Sequence, residues 1–177
     1  MSLKGKKVAI IATDYFEEIE LTSPRDALVK AGATVHVIAP HDGEIKALNH
    51  VEPGQSVAVD KTLEEANPHD YDGVVIPGGV VNADHLRTDK KAQDFVREAL
   101  TNHKPTAVIC HGPWLLVSSG VLRGKKLTSY HTIRDDIVNA GGEWVDEPMV
   151  QSGVLITSRK PDDLPVFNEA LLQALGN

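Results

Sequence analysis

The sequence predicts an α/β fold in which a mostly parallel sheet is covered by helices on both faces. Three observations carry this expectation. The runs KVAIIA (7–12), TVHVIA (34–39), GVVI (73–76) and TAVI (106–109) are continuously apolar or β-branched, as in strands buried on both sides. Helical patterns separate the runs, which is the signature of βαβ units. Finally, the segments 14–18, 77–84 and 110–113 deliver chemically useful residues just after strands, at the edge where open α/β sheets bind ligands.

After the first strand the pattern turns helical from Phe16 to Ala31, with Ile19, Leu21, Ala27, Leu28 and Ala31 on the apolar side and Gly32 as the stop. Pro24 lies inside this pattern and is expected to kink or split the helix. The second strand closes at Pro40, and 41–60 reads as loop with short strands at 44–48 and 56–59. Asn67-Pro68 and Asp72-Gly73 are turn signals ahead of the third strand. A short helical piece is expected over 83–87, and 89–102 is amphipathic, with Ala92, Phe95, Val96, Ala99 and Leu100 inward. Pro113 suits the first turn of the helix after the TAVI strand, where its missing N–H costs nothing. A strand over 127–130 and a helix over 132–139 come next, the latter ended by Gly141-Gly142. Strands follow at 144–145, 149–150 and 154–157, the last two paired through Ser152-Gly153, and a helix over 164–175 closes the chain.

The 177 residues suffice for one well-buried core, and no repeat, low-complexity tract or linker divides them, so a single domain over 1–177 is expected. A net charge of −7 argues against a nucleic-acid or membrane partner, which would want a basic face. One cysteine excludes an internal disulfide, and the eight histidines show no metal-ligand spacing, so no metal is expected. Neither G-x-x-x-x-G-K-[ST] nor G-x-G-x-x-G occurs, so no cofactor is expected. Without a targeting or membrane-spanning stretch, the expected location is cytoplasmic.

The one cysteine, Cys110, ends the TAVI strand and precedes His111, Gly112 and Pro113. That order describes a nucleophile elbow, with the sulfur near a helix N-terminus that favours thiolate. A buried, inert thiol is the competing reading, but such a residue needs neither an adjacent imidazole nor a glycine two residues on. His111 is the candidate proton shuttle. Among Glu17, Glu18 and Glu20, one carboxyl is expected to enter the cleft and hydrogen-bond the sulfur, kept protonated by burial, while the other two complement the helix dipole. The sequence alone does not choose among the three. Gly78 and Gly79, and Gly112 in the elbow, are candidate backbone positions for holding an oxyanion, against the simpler reading of a tight turn.

The run AVICHGPWLL, with GVLRGKKLTSY and DDIVNAGGEWVD after it, resembles the ThiJ/PfpI intracellular-protease-like family of the class I glutamine-amidotransferase-like superfamily. IIATDYFEEIEL, VVIPGG and TSRKPDDLPVFNEALLQAL extend the resemblance over nearly the whole chain. It implies a flavodoxin-like three-layer sandwich with its elbow at Cys110. It singles out Glu17 as the carboxyl at the sulfur, and Gly79 and His111 as donors of oxyanion amides. It also implies a homo-oligomer, a dimer or a hexamer, in which Asp84 of a neighbouring copy completes a triad with His111. Asp stands there in place of the family's Glu, and the segment 80–83 is one residue longer than the family pattern. The activity expected is that of a cysteine-nucleophile enzyme acting on small electrophilic carbonyls, of the glutathione-independent glyoxalase or deglycase type. A PfpI-type cysteine peptidase and a non-enzymatic redox sensor oxidised at Cys110 are the alternatives.

Overall fold

The apolar runs form the middle of one seven-stranded sheet in the computed structural model, which describes residues 1–177. The first half contains β1 (Lys7–Ile11), β2 (Phe16–Glu17), α1 (Glu18–Lys30) and β3 (Thr34–Ala39). Five short strands follow: β4 (Glu44–Ile45), β5 (Ala47–Asn49), β6 (Glu52–Pro53), β7 (Val57–Ala58) and β8 (Lys61–Thr62). Then come β9 (Gly73–Ile76), α2 (Val80–Leu86) and α3 (Lys90–Thr101). The second half runs β10 (Thr106–Ile109), α4 (Pro113–Ser119), β11 (Lys126–Leu127), α5 (Arg134–Asn139) and β12 (Glu143–Trp144). It ends with β13 (Met149–Ser152), β14 (Leu155–Ser158) and α6 (Leu164–Gly176).

The sheet order is β13-β14-β10-β9-β1-β3-β8, parallel except where β13 runs antiparallel to β14. β10 lies between β9 and β14, with Thr106 level with Val74 and Leu155. Strand alternation divides the core into two layers. Val8, Ile10, Val75, Ala107 and Ile109 face α1 and α6. Ala9, Ile11, Val74, Ile76 and Val108 face α3, α4 and α5. Each fully buried Val, Ile or Leu contributes roughly 1.5–3 kcal/mol, so both layers are needed to hold the sheet. The result is a flavodoxin-like three-layer sandwich. No helix is long and apolar enough to cross a membrane.

Several elements differ from expectation for identifiable reasons. α1 is one uninterrupted helix with Pro24 inside it, because Leu21, Pro24 and Leu28 are all buried and their packing holds the helix through the missing hydrogen bond. The helix also begins later, at Glu18, since Phe16 and Glu17 pair with Ala47 and Leu48 as a short strand. The strand expected over 44–48 breaks at Lys46, whose N–H goes to Asp14 Oδ1 (2.9 Å) and whose carbonyl accepts from Tyr15 N (2.6 Å). The helix expected at 83–87 starts at Val80, directly after Gly79. The strand expected over 127–130 stops at Leu127, because Thr128 N donates to Thr157 Oγ1 and Tyr130 N donates to Cys110 O.

Candidate active site

Cys110 sits between β10 and α4 with φ +64°, a left-handed conformation that costs a non-glycine residue about 1–3 kcal/mol. Three hydrogen bonds hold it there. Cys110 N donates to Ser158 O (3.1 Å), Tyr130 N to Cys110 O (2.8 Å), and Gly112 N to Ile109 O (2.9 Å). A Cβ on Gly112 would fall 2.8 Å from Val108 Cγ1 and 3.0 Å from Ile76 O, so α4 starts this close to the sheet only because residue 112 has no side chain. The strained turn lifts Sγ to the carboxyl edge of the sheet, as a nucleophile elbow does.

His111 Nδ1 lies 3.3 Å from Cys110 Sγ, and its Nε2 lies 3.2 Å from Thr132 Oγ1. Tyr130 stacks on the imidazole at 4.9 Å, and Trp114 meets it edge-on at 5.4 Å. The ring is therefore fixed on two faces and at both nitrogens. The backbone amides of Gly79 and His111 lie near enough to the sulfur to favour its charged form.

The carboxyl at the sulfur belongs to Glu20. Its side chain is fully buried beside the Cys110 thiol, and Oε1 accepts from Gly78 N at 2.9 Å. Oε2 has no hydrogen-bond partner. The loop beneath is set by buried Asn82, which donates to Gly78 O (2.9 Å) and Pro77 O (3.2 Å) and accepts from Thr13 N (2.7 Å).

Burial dominates the electrostatics. It pushes the Glu20 carboxyl up to about 8, against a smaller downward pull from Gly78 N–H, so this carboxyl carries its proton at neutral pH. Burial and the neighbouring carboxyls also push the Cys110 thiol up, while the Gly79 and His111 amides pull it down. The thiol lowered by a helix N-terminus, expected from sequence, is thus not what surrounds the sulfur; α4 has only seven residues. Burial, with a smaller contribution from nearby His131, lowers His111 to about 4, so its imidazole is neutral and forms no ion pair with sulfur. For Glu20 and Cys110, titration belongs to the pair. Burial raises both groups, and the Gly79 and His111 amides act on Sγ against that rise.

Cys110 forms part of an open pocket of about 820 Å³ together with Glu17, Glu20, Gly79, His111, Tyr130 and Lys160. Of the residues expected from sequence, Cys110, His111 and the Gly79 amide come together. Glu17 does not reach the sulfur: it precedes α1 and accepts from His50 N at 2.7 Å, forming part of the pocket wall. Glu18 turns to Gln55 N (2.9 Å). The amides of Gly78 and Gly112 are already engaged with Glu20 and Ile109, leaving neither free for an oxyanion. Asp84 is exposed on α2 and lies outside the pocket; within the chain Thr132, not a carboxylate, meets His111 Nε2. No group of three or more His, Cys, Asp or Glu side chains gathers as metal ligands.

Helical spacing carried the signal for Glu20. It lies on the buried stripe with Leu21, Pro24 and Leu28, whereas Ile19, expected inward, is 50% exposed. Thr132, Tyr130, His50 and Lys160 had no local signal, since they reach the site from separate loops.

The DJ-1/PfpI family profile matches residues 6–174. Similar proteins include "Protein/nucleic acid deglycase 2" of Escherichia coli, 43% identical over 97% of this chain and 99% of that protein. "Deglycase PfpI" of Pyrococcus furiosus is 41% identical over 96% and 99%. "Putative cysteine protease YraA" of Bacillus subtilis is 40% identical over 97% and 99%. Among solved structures, Drosophila melanogaster DJ-1beta superposes with a TM-score of 0.87 at 29% identity, over 100% of this chain and 92% of that one. A two-domain protein from Anabaena variabilis, with DJ-1/ThiJ/PfpI-like and ferritin-like domains, gives 0.92 at 38% identity; 97% of this chain matches 48% of that longer one.

Proposed function

The chain belongs to the DJ-1/PfpI family, and from that premise we propose that it is a cysteine-dependent enzyme acting on small electrophilic carbonyls, as a glutathione-independent glyoxalase or deglycase. The observation that carries this reading is the grouping around Sγ: a protonated buried carboxyl, a neutral imidazole and two nearby amides, open to a pocket of about 820 Å³. Two relatives named as deglycases support it.

In this reading the Cys110 thiolate adds to an aldehyde carbon, forming a C–S bond as the carbonyl π pair moves to oxygen. The Gly79 and His111 amides hold that oxygen. Neutral His111 takes the proton from the former aldehyde carbon and returns it to the adjacent carbon of a dicarbonyl, leaving a thioester. Water hydrolyses the thioester and frees the sulfur, so the net change is addition of one water to give a 2-hydroxy acid. Loss of methylglyoxal with formation of lactate by the wild type, and neither with Cys110→Ser, is the expected result. Equal loss with both proteins would overturn it.

The 3.3 Å contact between Cys110 and His111, together with the relative named as a cysteine protease, favours a second reading as a peptidase. There the same thiolate attacks an amide carbonyl. Self-association belongs to this reading, with exposed Asp84 offered to His111 of another copy. Casein hydrolysis lost in both Cys110→Ala and Asp84→Asn would support it, and hydrolysis retained in either would remove it.

A further inference from the structure

At the opposite end of β10 from Cys110 lies a second pocket, about 480 Å³, walled by the end of α3, the α4–β11 loop and the β13–β14 turn. β10 spans four residues, so roughly 13 Å of strand separates the two sites. The ionisable residues around this pocket are Arg97, His103, Arg123 and Lys125, with no Asp or Glu among them. On a chain of net charge −7 this is a marked local reversal of sign.

Two of these groups have structural work that explains them. Arg97 donates to Ser119 O (3.0 Å) and pairs with Asp94 (2.7 Å), and Lys125 Nζ donates to Val121 O (2.5 Å). Both satisfy carbonyls at and just beyond the C-terminal end of α4, where cations are favourable. Arg123 and His103 have no such task. Both are exposed, and their side chains enter no hydrogen bond or ion pair. Their backbones are nonetheless fixed. Gly124 N donates to Gly141 O (3.0 Å), and Gly141 packs against Arg123, where a Cβ would come within 3.2 Å of Arg123 Cα. His103 is held at φ +55°, with its N–H on Leu100 O (3.1 Å) and the next N–H on Ala99 O (2.9 Å).

We propose that this pocket binds a phosphate group, carried by a small phosphorylated molecule, with Arg123 as its principal ligand and His103 beside it. Donors arriving from several directions suit the oxygens of phosphate, and the planar guanidinium can bind two of them at once. The pocket exceeds a bare phosphate in size, and Leu100, Val121 and Leu155 offer apolar contact for the carbon portion of an ester. This site is independent of the chemistry proposed at Cys110.

The test is calorimetric titration of the wild-type chain with inorganic phosphate and with ribose 5-phosphate, at fixed ionic strength. Saturable binding of the ester is expected, at least as tight as that of phosphate. It should weaken about tenfold or more in Arg123→Gln, as loss of a charge-assisted hydrogen bond implies, and persist in Cys110→Ser. Because Arg123 is exposed, Arg123→Gln should melt with the wild type, so lost binding would not report unfolding. No saturable binding of the ester at millimolar concentration would overturn the proposal. So would binding unchanged in Arg123→Gln, binding abolished in Cys110→Ser, or binding of a single-stranded oligonucleotide without binding of the ester.

Discussion

Gly78 N–H donates to Glu20 Oε1 at 2.9 Å, and a Cβ on Gly78 would fall 2.5 Å from that oxygen and 2.5 Å from Cys110 Cβ. The carboxyl and the cysteine therefore share a space that exists only because residue 78 lacks a side chain. Gly78→Ala is expected to force them apart, destabilising the fold by about 2 kcal/mol or more and suppressing Cys110 alkylation. Urea unfolding and iodoacetamide labelling check both parts.

Glu20 and His111 bend the pH dependence of stability in opposite directions. Glu20 is raised from 4.5 to about 8 on folding, so its contribution is complete below pH 4.5 and lost as pH rises toward 8. His111 is lowered from 6.5 to about 4, so its contribution is complete above pH 6.5 and lost as pH falls toward 4. The two slopes, at most about 1.4 kcal/mol per pH unit each, offset one another between 4.5 and 6.5. Above 6.5 the wild type should lose stability, and Glu20→Gln should not. The difference between the two proteins, followed by denaturant unfolding from pH 4 to 8, isolates Glu20 from every other carboxylate.

A neutral His111 also shapes turnover. kcat/KM is expected to fall with unit slope as pH drops through the ionisation of the coupled Glu20–Cys110 pair that leaves the thiolate. The next break belongs near pH 4, where His111 itself protonates. A break near 6.5 would show an imidazole unperturbed by burial. His111→Gln should lower kcat by about 10²–10⁴, the usual contribution of a general base.

Arg159 anchors the wall that carries Lys160 and Asp162. It meets buried Asp163 through Nε and Nη2 at 3.0 Å each, and Asp146 through Nη1 at 2.9 Å. Asp163→Asn should lower stability by about 1–3 kcal/mol, because a buried carboxylate that accepts charge-assisted hydrogen bonds from Arg159 is replaced by an amide. It should also raise KM more than it lowers kcat, since the pocket wall moves while Cys110 stays in place.

The strands were legible because burial on both faces demands uninterrupted apolar runs, and β3, β9 and β10 fall where TVHVIA, GVVI and TAVI stand. The segment 41–60 was not, because its partners lie far away in sequence: Lys46 is tied to Asp14 and Tyr15, and Ala47 to Phe16. The elbow could be read from the order Cys-His-Gly-Pro. Which glutamate faces the sulfur could not be read from motif position, and Glu17 was the wrong one for that role. Only the helical phase of α1, with Glu20 beside Leu21 and in line with Pro24 and Leu28, places that carboxyl inward. Glycines mark a turn, yet their identity does not say which acceptor their amides take, so Gly78 and Gly112 looked like free donors.

The decisive measurement is the pH midpoint of Cys110 thiolate formation, followed by alkylation rate, in the wild type, Glu20→Gln and Glu20→Leu. If a protonated Glu20 donates to the ionised sulfur, Gln preserves the donor and leaves the midpoint nearly in place, while Leu removes it and moves the midpoint up by about one unit or more. A midpoint that moves down in both variants would mean that Glu20 bears a negative charge beside the thiol, and the protonated-carboxyl site would be wrong.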